Sequence, residues 1–233
     1  MSQPFPAELV FPVPAVISLP VAGSDARFPV RRVYCVGRNY LDHIREMGND
    51  ERQPPVFFSK PRDAVAANHS RIPYAQATSD LHYELELAVG LHSGGQDIPP
   101  ETALTHVFGY AVALDMTRRD LQRALSAKGS PWDVAKGFDN SCPCAAIHPA
   151  STVGHPSSGN LELRVNDEIR QKADLAQMIW DVPNIIAYLS RYFTLAAGDL
   201  ILTGTPAGVG PVKAGDRLEG RIDGLETLYI DIV

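Results

Sequence analysis

The run His82-Tyr83-Glu84-Leu85-Glu86-Leu87-Ala88-Val89 constrains this chain more than any other segment. Tyr83, Leu85, Leu87 and Val89 recur at every second position, which is the period of a β-strand and not of a helix. The pattern predicts a half-buried strand with Glu84 and Glu86 together on the face opposite the apolar one. Their Cα atoms should lie roughly 7 Å apart at ~3.3–3.4 Å per residue. A second apolar run, Phe108-Gly109-Tyr110-Ala111-Val112-Ala113-Leu114, closes on Asp115. Gly109, Ala111 and Ala113 precede Asp115 on its own face, and their small size predicts room there for something bulky. Two parallel carboxylates joined by a third from a neighbouring strand end form a hard-oxygen site, suited to Mg²⁺ or Mn²⁺ and poorly to Zn²⁺. For the glutamate pair alone, the competing reading is a solvated strand edge.

The rest of the chain supports a β-rich α+β fold. Residues 1–30 read as a short leader of edge strands broken by prolines and ending in the turn Gly23-Ser24-Asp25. Residues 31–233 read as one domain. Strands are expected over Arg32–Val36, Val56–Lys60, 83–91, 107–115 and Leu200–Thr203, with a hairpin of Leu161–Val165 and Ile169–Lys172 across Asn166-Asp167-Glu168. Helices are expected from Tyr40 to about Met47, from Thr117 to about Lys128 behind a Thr117…Asp120 capping box, and over Asn184–Phe193 with Asp181 as cap. No regular βαβ alternation appears, so a doubly wound sheet is not expected.

Composition narrows the function classes. The 233 residues carry a net charge of −6 and no Lys/Arg cluster, which argues against nucleic acid and anionic membranes as partners. Three cysteines (Cys35, Cys142 and Cys144) without framework spacing predict buried free thiols in a reducing compartment. The apolar N-terminus is interrupted by prolines and has no basic leader, so neither a signal peptide nor a membrane span is expected. The expected location is the cytoplasm.

Other residues could carry chemistry. His43 and Glu46 are three apart and share a helix face, an arrangement in which a carboxylate orients an imidazole as general base; an exposed helix pair is the competing reading. Lys60 and Lys136 sit beside apolar residues and either snorkel or face an anionic ligand. Arg119 and Gln122, three apart just after Asp115, either point at whatever the acids hold or form a solvated helix face. Thr205, in the loop Gly204-Thr205-Pro206-Ala207-Gly208-Val209-Gly210, could help bind a carboxylate through nearby backbone N–H groups. His82 shares a face with Glu84 and is read as a supporting group.

Taken in order, these segments resemble the fumarylacetoacetate hydrolase superfamily. The matching stretches are Tyr34-Cys35-Val36-Gly37-Arg38-Asn39-Tyr40, His43 with Glu46, Phe57-Phe58-Ser59-Lys60-Pro61, and His82-Tyr83-Glu84-Leu85-Glu86-Leu87. They continue with Leu114-Asp115-Met116-Thr117-Arg118-Arg119-Asp120, Ala135-Lys136-Gly137-Phe138 and Leu202-Thr203-Gly204-Thr205-Pro206-Ala207-Gly208-Val209-Gly210. The resemblance is strongest to the acylpyruvase and fumarylpyruvate hydrolase branch, because of the leader Val21-Ala22-Gly23-Ser24-Asp25-Ala26-Arg27-Phe28-Pro29-Val30. One departure is Asn166-Asp167, where relatives often have Asn-Gly.

The resemblance implies a mixed β-roll with peripheral helices, usually a homodimer. It implies Glu84, Glu86 and Asp115 as Mg²⁺ ligands, with Mn²⁺ also admissible, and His43 and Glu46 as the catalytic dyad. It implies Lys60, Lys136, Arg119, Gln122 and Thr205 as substrate contacts, with Lys136 also stabilising developing charge. The expected activity is hydrolysis of a carbon–carbon bond in an acylpyruvate, most directly fumarylpyruvate to fumarate and pyruvate. Arg119 is the expected partner of the fumaryl carboxylate, ahead of Arg38 or Arg45. Oxaloacetate decarboxylation or 2-oxo acid tautomerisation could use the same metal site, and a non-catalytic dicarboxylate binder is a third reading.

Overall fold

A computed structural model describes residues 10–42 and 54–233. The core is an eight-stranded mixed sheet in the order β4 (Val56–Lys60), β3 (Arg32–Gly37), β15 (Asp199–Leu202), β8 (Leu85–Leu91), β9 (Val107–Leu114), β11 (Cys142–Cys144) and β5 (Val65–Ala67). The two-residue β12 (His148–Pro149) also pairs with β9. A five-stranded sheet runs β14 (Glu168–Asp174), β13 (Asn160–Val165), β17 (Arg217–Ile222), β18 (Leu228–Ile232) and β6 (Arg71–Ile72). A three-stranded sheet runs β10 (Thr117–Arg118), β7 (Leu81–Tyr83) and β16 (Gly210–Pro211). Among the described residues the helices are short, the longest being Arg119–Ala127 and Val182–Ser190. Among the described residues, no helix is long and apolar enough to cross a membrane. This is the β-rich α+β roll with peripheral helices expected from the sequence.

The large sheet is buried on both faces, and this corrects the half-buried reading of the Glu84–Glu86 run. Leu85, Leu87, Val89, Val112 and Leu114 pack against Leu161, Leu163, Leu218 and Ile222 of the five-stranded sheet. On the other face Ala88, Ala111 and Ala113 pack with Cys142, Cys144, Leu200 and Leu202. That second cluster is closed by the leader, whose strands β1 (Ser18–Pro20) and β2 (Arg27–Pro29) pair as a hairpin and add Leu19 and Phe28 to it. The turn Gly23-Ser24-Asp25 therefore lies inside this hairpin and does not end the leader.

The small residues before Asp115 serve this packing. A Cβ on Gly109 would collide with the carbonyl of His148 on the paired β12, and Ala111 and Ala113 meet the second cluster. The expected room beside them is filled by protein. All three cysteines are free and buried, as expected.

Local chemistry changes three other expectations. The capping box is not formed: no side chain caps the helix Arg119–Ala127. Thr117 Oγ1 donates instead to the carbonyl of Asp115, and Asp120 accepts from Thr78 Oγ1 and the Ser79 N–H. The β13–β14 hairpin pairs Val165 with Glu168, so its loop is Asn166-Asp167 alone. Both loop residues have positive φ (49° and 69°), as the tight primed turn that matches strand twist requires. Asp181 does cap the helix Val182–Ser190 by accepting from the Asn184 N–H, but that helix stops short of Phe193.

Candidate functional site

The three carboxylates lie where the chain passes from one sheet to another. β7 ends at Tyr83 and β8 begins at Leu85; β9 ends at Leu114 and β10 begins at Thr117. Glu84 and Asp115 occupy these gaps and face one another, with the Asp115 N–H donating to the Glu84 carbonyl at 2.8 Å. Glu86, two residues along β8, shares the face of Glu84. Their ligand atoms lie within 4.8 Å of one another, and the three residues are only 4%, 1% and 1% exposed for Glu84, Glu86 and Asp115.

Three cations compensate this buried negative charge. Lys136 Nζ donates to Glu84 Oε2, Asp115 Oδ2 and Thr117 Oγ1, each at 2.7 Å. Lys60 Nζ lies 2.7 Å from Asp115 Oδ1 and also donates to the carbonyls of Met116 and Lys136. Arg119 pairs with Glu84, donates to Gln122 Oε1, and reaches His82 Nδ1 at 3.4 Å. With Nδ1 accepting, the His82 proton sits on Nε2, which meets Asp80 Oδ1 at 2.8 Å. His82 thus supports Arg119, as its strand face suggested, and burial with Arg119 beside it lowers its pKa.

Electrostatics divide the acids. Burial, together with neighbouring Asp115 and Glu84, pushes Glu86 well above the usual carboxylate range. Burial also works against the charge of Lys136, but Asp115 and Glu84 outweigh it and hold the ammonium above its ordinary value. Buried oxygen ligands this close, one of them poorly compensated, form a donor set that fits a hard divalent cation. The triad is therefore able to hold one.

A cavity of about 230 Å³ opens above the acids. Glu84, Glu86, Asp115, Arg119, Gln122, Lys136 and Thr205 all line it, with Arg123, Ser126, Phe58, Trp132 and Arg38 further around. Lys60 is not on its wall. Its ammonium, the expected substrate contact, is fully buried against Asp115. Arg119 is likewise committed to Glu84, Gln122 and His82. His43, Glu46 and Arg45 lie outside the described residues.

Two buried amides that sequence reasoning missed hold the cavity loop in place. Asn39 donates to the carbonyls of Trp180 and Thr203 and accepts from the Trp180 N–H, at 2.7–2.9 Å. Gln171 accepts from the Leu85 N–H and donates to Thr205 Oγ1 and the Pro206 carbonyl, at 2.8–2.9 Å. Thr205 in turn donates to the Leu85 carbonyl at 2.9 Å. Gly204 completes the loop by donating its N–H to Glu86 Oε2 at 2.6 Å. A Cβ there would sit 2.7 Å from that of Asn39, at a φ of +97°, so this position requires glycine. Asn39 stood within a recognised motif without a role. Gln171 is the one buried residue of β14, and nothing local in the sequence marks it.

Comparison with known proteins fits this geometry. Residues 32–233 match the family model described as Fumarylacetoacetate (FAA) hydrolase C-terminal. The mitochondrial oxaloacetate tautomerase FAHD1 of Mus musculus is 44% identical over 202 residues, covering 87% of this chain and 91% of that one. Oxaloacetate tautomerase YcgM of Escherichia coli (strain K12) is 43% identical over 203 residues, covering 87% and 93%. The crystal structure of fumarylpyruvate hydrolase from Pseudomonas aeruginosa, in complex with Mn²⁺ and pyruvate, superposes with a TM-score of 0.95 at 52% identity, covering 97% of this chain and 99% of that one. With nearly the whole chain matched in both sequence and fold, this protein belongs to the fumarylacetoacetate hydrolase family.

Proposed function

We propose that the protein is a Mg²⁺-dependent acylpyruvate hydrolase that cleaves fumarylpyruvate to fumarate and pyruvate. The observation that carries this reading is its likeness, over 97% of the chain, to a fumarylpyruvate hydrolase structure holding Mn²⁺ and pyruvate. The site chemistry supports it. A divalent cation held by Glu84, Glu86 and Asp115 would polarise a 2-oxo acid and offset negative charge developing on it. Lys60, Lys136 and Arg119 already pair with Asp115 and Glu84, so a divalent ion that also draws the charge of Glu86 leaves the site positive, and an anionic substrate restores the balance.

In this mechanism His43, oriented by Glu46, takes a proton from the water that attacks the distal carbonyl. The carbon–carbon bond on the pyruvate side of that carbonyl then breaks. Its electron pair leaves on pyruvate as an enolate, which is protonated to pyruvate, while the acyl group departs as fumarate. Lys136 faces the acids on the cavity wall, where its ammonium stabilises charge that exists only in the transition state. Thr205 and Gln122 help to orient the 2-oxo acid. The expected homodimer and cytoplasmic location belong to the same proposal; light scattering on the purified protein tests the first.

A second reading is favoured by the curated relatives, which are named oxaloacetate tautomerases and, in Dictyostelium discoideum, an oxaloacetate decarboxylase. Those reactions need no attacking water. The variant His43→Ala separates the two readings. Hydrolysis of fumarylpyruvate should fall by about 10²–10⁴-fold, the usual contribution of a general base. Acylpyruvate hydrolysis that survives this substitution unchanged contradicts the mechanism, and turnover confined to oxaloacetate supports the second reading.

A further inference from the structure

The helix Arg119–Ala127 presents Arg119, Gln122, Arg123 and Ser126 to the cavity. These positions are i, i+3, i+4 and i+7, one stripe along one face. The stripe runs from the cavity floor outward. Arg119 is 1% exposed and sits against Glu84. Arg123 lies one turn on, roughly 6 Å along the axis at 1.5 Å per residue, and its side chain is 62% exposed.

We propose that Arg123 is the specificity residue for the acyl chain, receiving a carboxylate at the end remote from the 2-oxo acid. The inference rests on the acylpyruvate reading and names the residue that selects among acyl groups. Arg119 is the less available of the two, because Nε, Nη1 and Nη2 of its buried guanidinium already donate to His82, Gln122 and Glu84. Arg123 makes its one ion pair among the described residues through Nη1, to Asp80 Oδ2 at 3.1 Å. A guanidinium presents five donors in a planar fork, so the remaining edge can accept a carboxylate. Asp80 is itself bonded to His82, which contacts Arg119, so Arg123 is oriented by a chain of contacts rooted in the cavity floor.

The surroundings suit an extended anionic tail. The only carboxylates on the cavity wall, among the described residues, are the three at its floor. Further out, Arg38 adds a second guanidinium, and Phe58 and Trp132 form an aromatic wall with ring centroids 5.7 Å apart. A flat unsaturated chain fits beside such rings, with its terminal carboxylate at Arg123. Oxaloacetate carries its second carboxylate next to the 2-oxo acid end, and so leaves Arg123 unused.

Two measurements on the full-length, Mn²⁺-loaded protein test this. The first compares kcat/KM for fumarylpyruvate and acetylpyruvate in the wild type, Arg123→Met and Arg123→Lys. The ratio favouring fumarylpyruvate should fall at least tenfold in Arg123→Met, equivalent to about 1.4 kcal/mol, and recover in part in Arg123→Lys. An equal loss on both substrates, or none on either, overturns the proposal. The second measurement needs no turnover. Calorimetry compares binding of 2-oxoheptanedioate, which has a remote carboxylate, with 2-oxoheptanoate, which has none. The wild type should prefer the diacid at least tenfold, and Arg123→Met should abolish that preference while binding Mn²⁺ as before. A preference that survives the substitution, or is absent from the wild type, overturns the role of Arg123. A preference abolished in Arg123→Met but accompanied by no hydrolysis in the wild type instead contradicts the hydrolase reading and leaves the role of Arg123 standing.

Discussion

Asp115 takes an ammonium on each carboxylate oxygen, Lys60 on Oδ1 and Lys136 on Oδ2. Lys60 is off the cavity wall, so its effect on a ligand passes through Asp115. Removing one member of a buried ion pair leaves the other charge uncompensated, which costs about 3–5 kcal/mol. Loss of an outer partner of a metal ligand typically costs 10–100-fold in metal affinity. Lys60→Met should therefore lower stability by about 3–5 kcal/mol in urea denaturation, with excess Mn²⁺ recovering part of the loss. A variant as stable as the wild type contradicts this brace. The contrast between residues shows what the sequence could carry. Glu84 and Glu86 were legible because strand period places them on one face whatever surrounds them. The target of Lys60 was not, because its partner Asp115 lies far away in sequence, in the passage between β9 and β10.

At the scale of elements, the helix Arg119–Ala127 is the main rigid support of the cavity wall, and Asp120 anchors its first turn. Partial burial works against the Asp120 charge. Hydrogen bonds from Thr78, the Ser79 N–H and the Leu121 N–H outweigh it and hold the carboxyl below its ordinary value. A carboxyl depressed in the folded state stabilises the protein above its unfolded pKa of about 3.9. That contribution disappears as pH falls through the lower folded value. Asp120→Asn should destabilise the protein at neutral pH, and the difference from wild type should shrink in acid below about pH 4. A difference independent of pH rules out the charge as the cause. The helix itself was predicted within a residue or two, but its anchoring was not. Asp120 bonds back to the turn at Thr78 and Ser79, a contact that local periodicity does not encode. The half-buried reading of β8 failed for a similar reason: the face opposite Leu85 and Leu87 is covered by the leader hairpin, packed there from a remote part of the chain.

At the scale of the molecule, the acid cluster joins the passages between the large sheet and the three-stranded sheet, so a cation bound there ties two layers together. A ligand that binds only the folded state stabilises it by about 2.7 kcal/mol at a hundred times its Kd. For a chain of this size, each kcal/mol raises Tm by about 2–4 °C. Mg²⁺ or Mn²⁺ added to chelator-stripped protein should therefore raise Tm by roughly 5–10 °C, and Asp115→Asn should abolish the shift. An equal shift in that variant places the ion elsewhere. The overall fold class was legible from strand patterning and a recognisable order of motifs. The division into sheets that brings Glu84 and Asp115 together at one seam was not, because it depends on pairings such as β7 with β10 and β16. The most direct test of the central claim is a product assay on chelator-stripped protein, with and without added Mg²⁺, using fumarylpyruvate, acetylpyruvate and oxaloacetate. Mg²⁺-dependent release of fumarate and pyruvate, fastest from fumarylpyruvate, is the predicted result; conversion of oxaloacetate with both acylpyruvates left intact contradicts it.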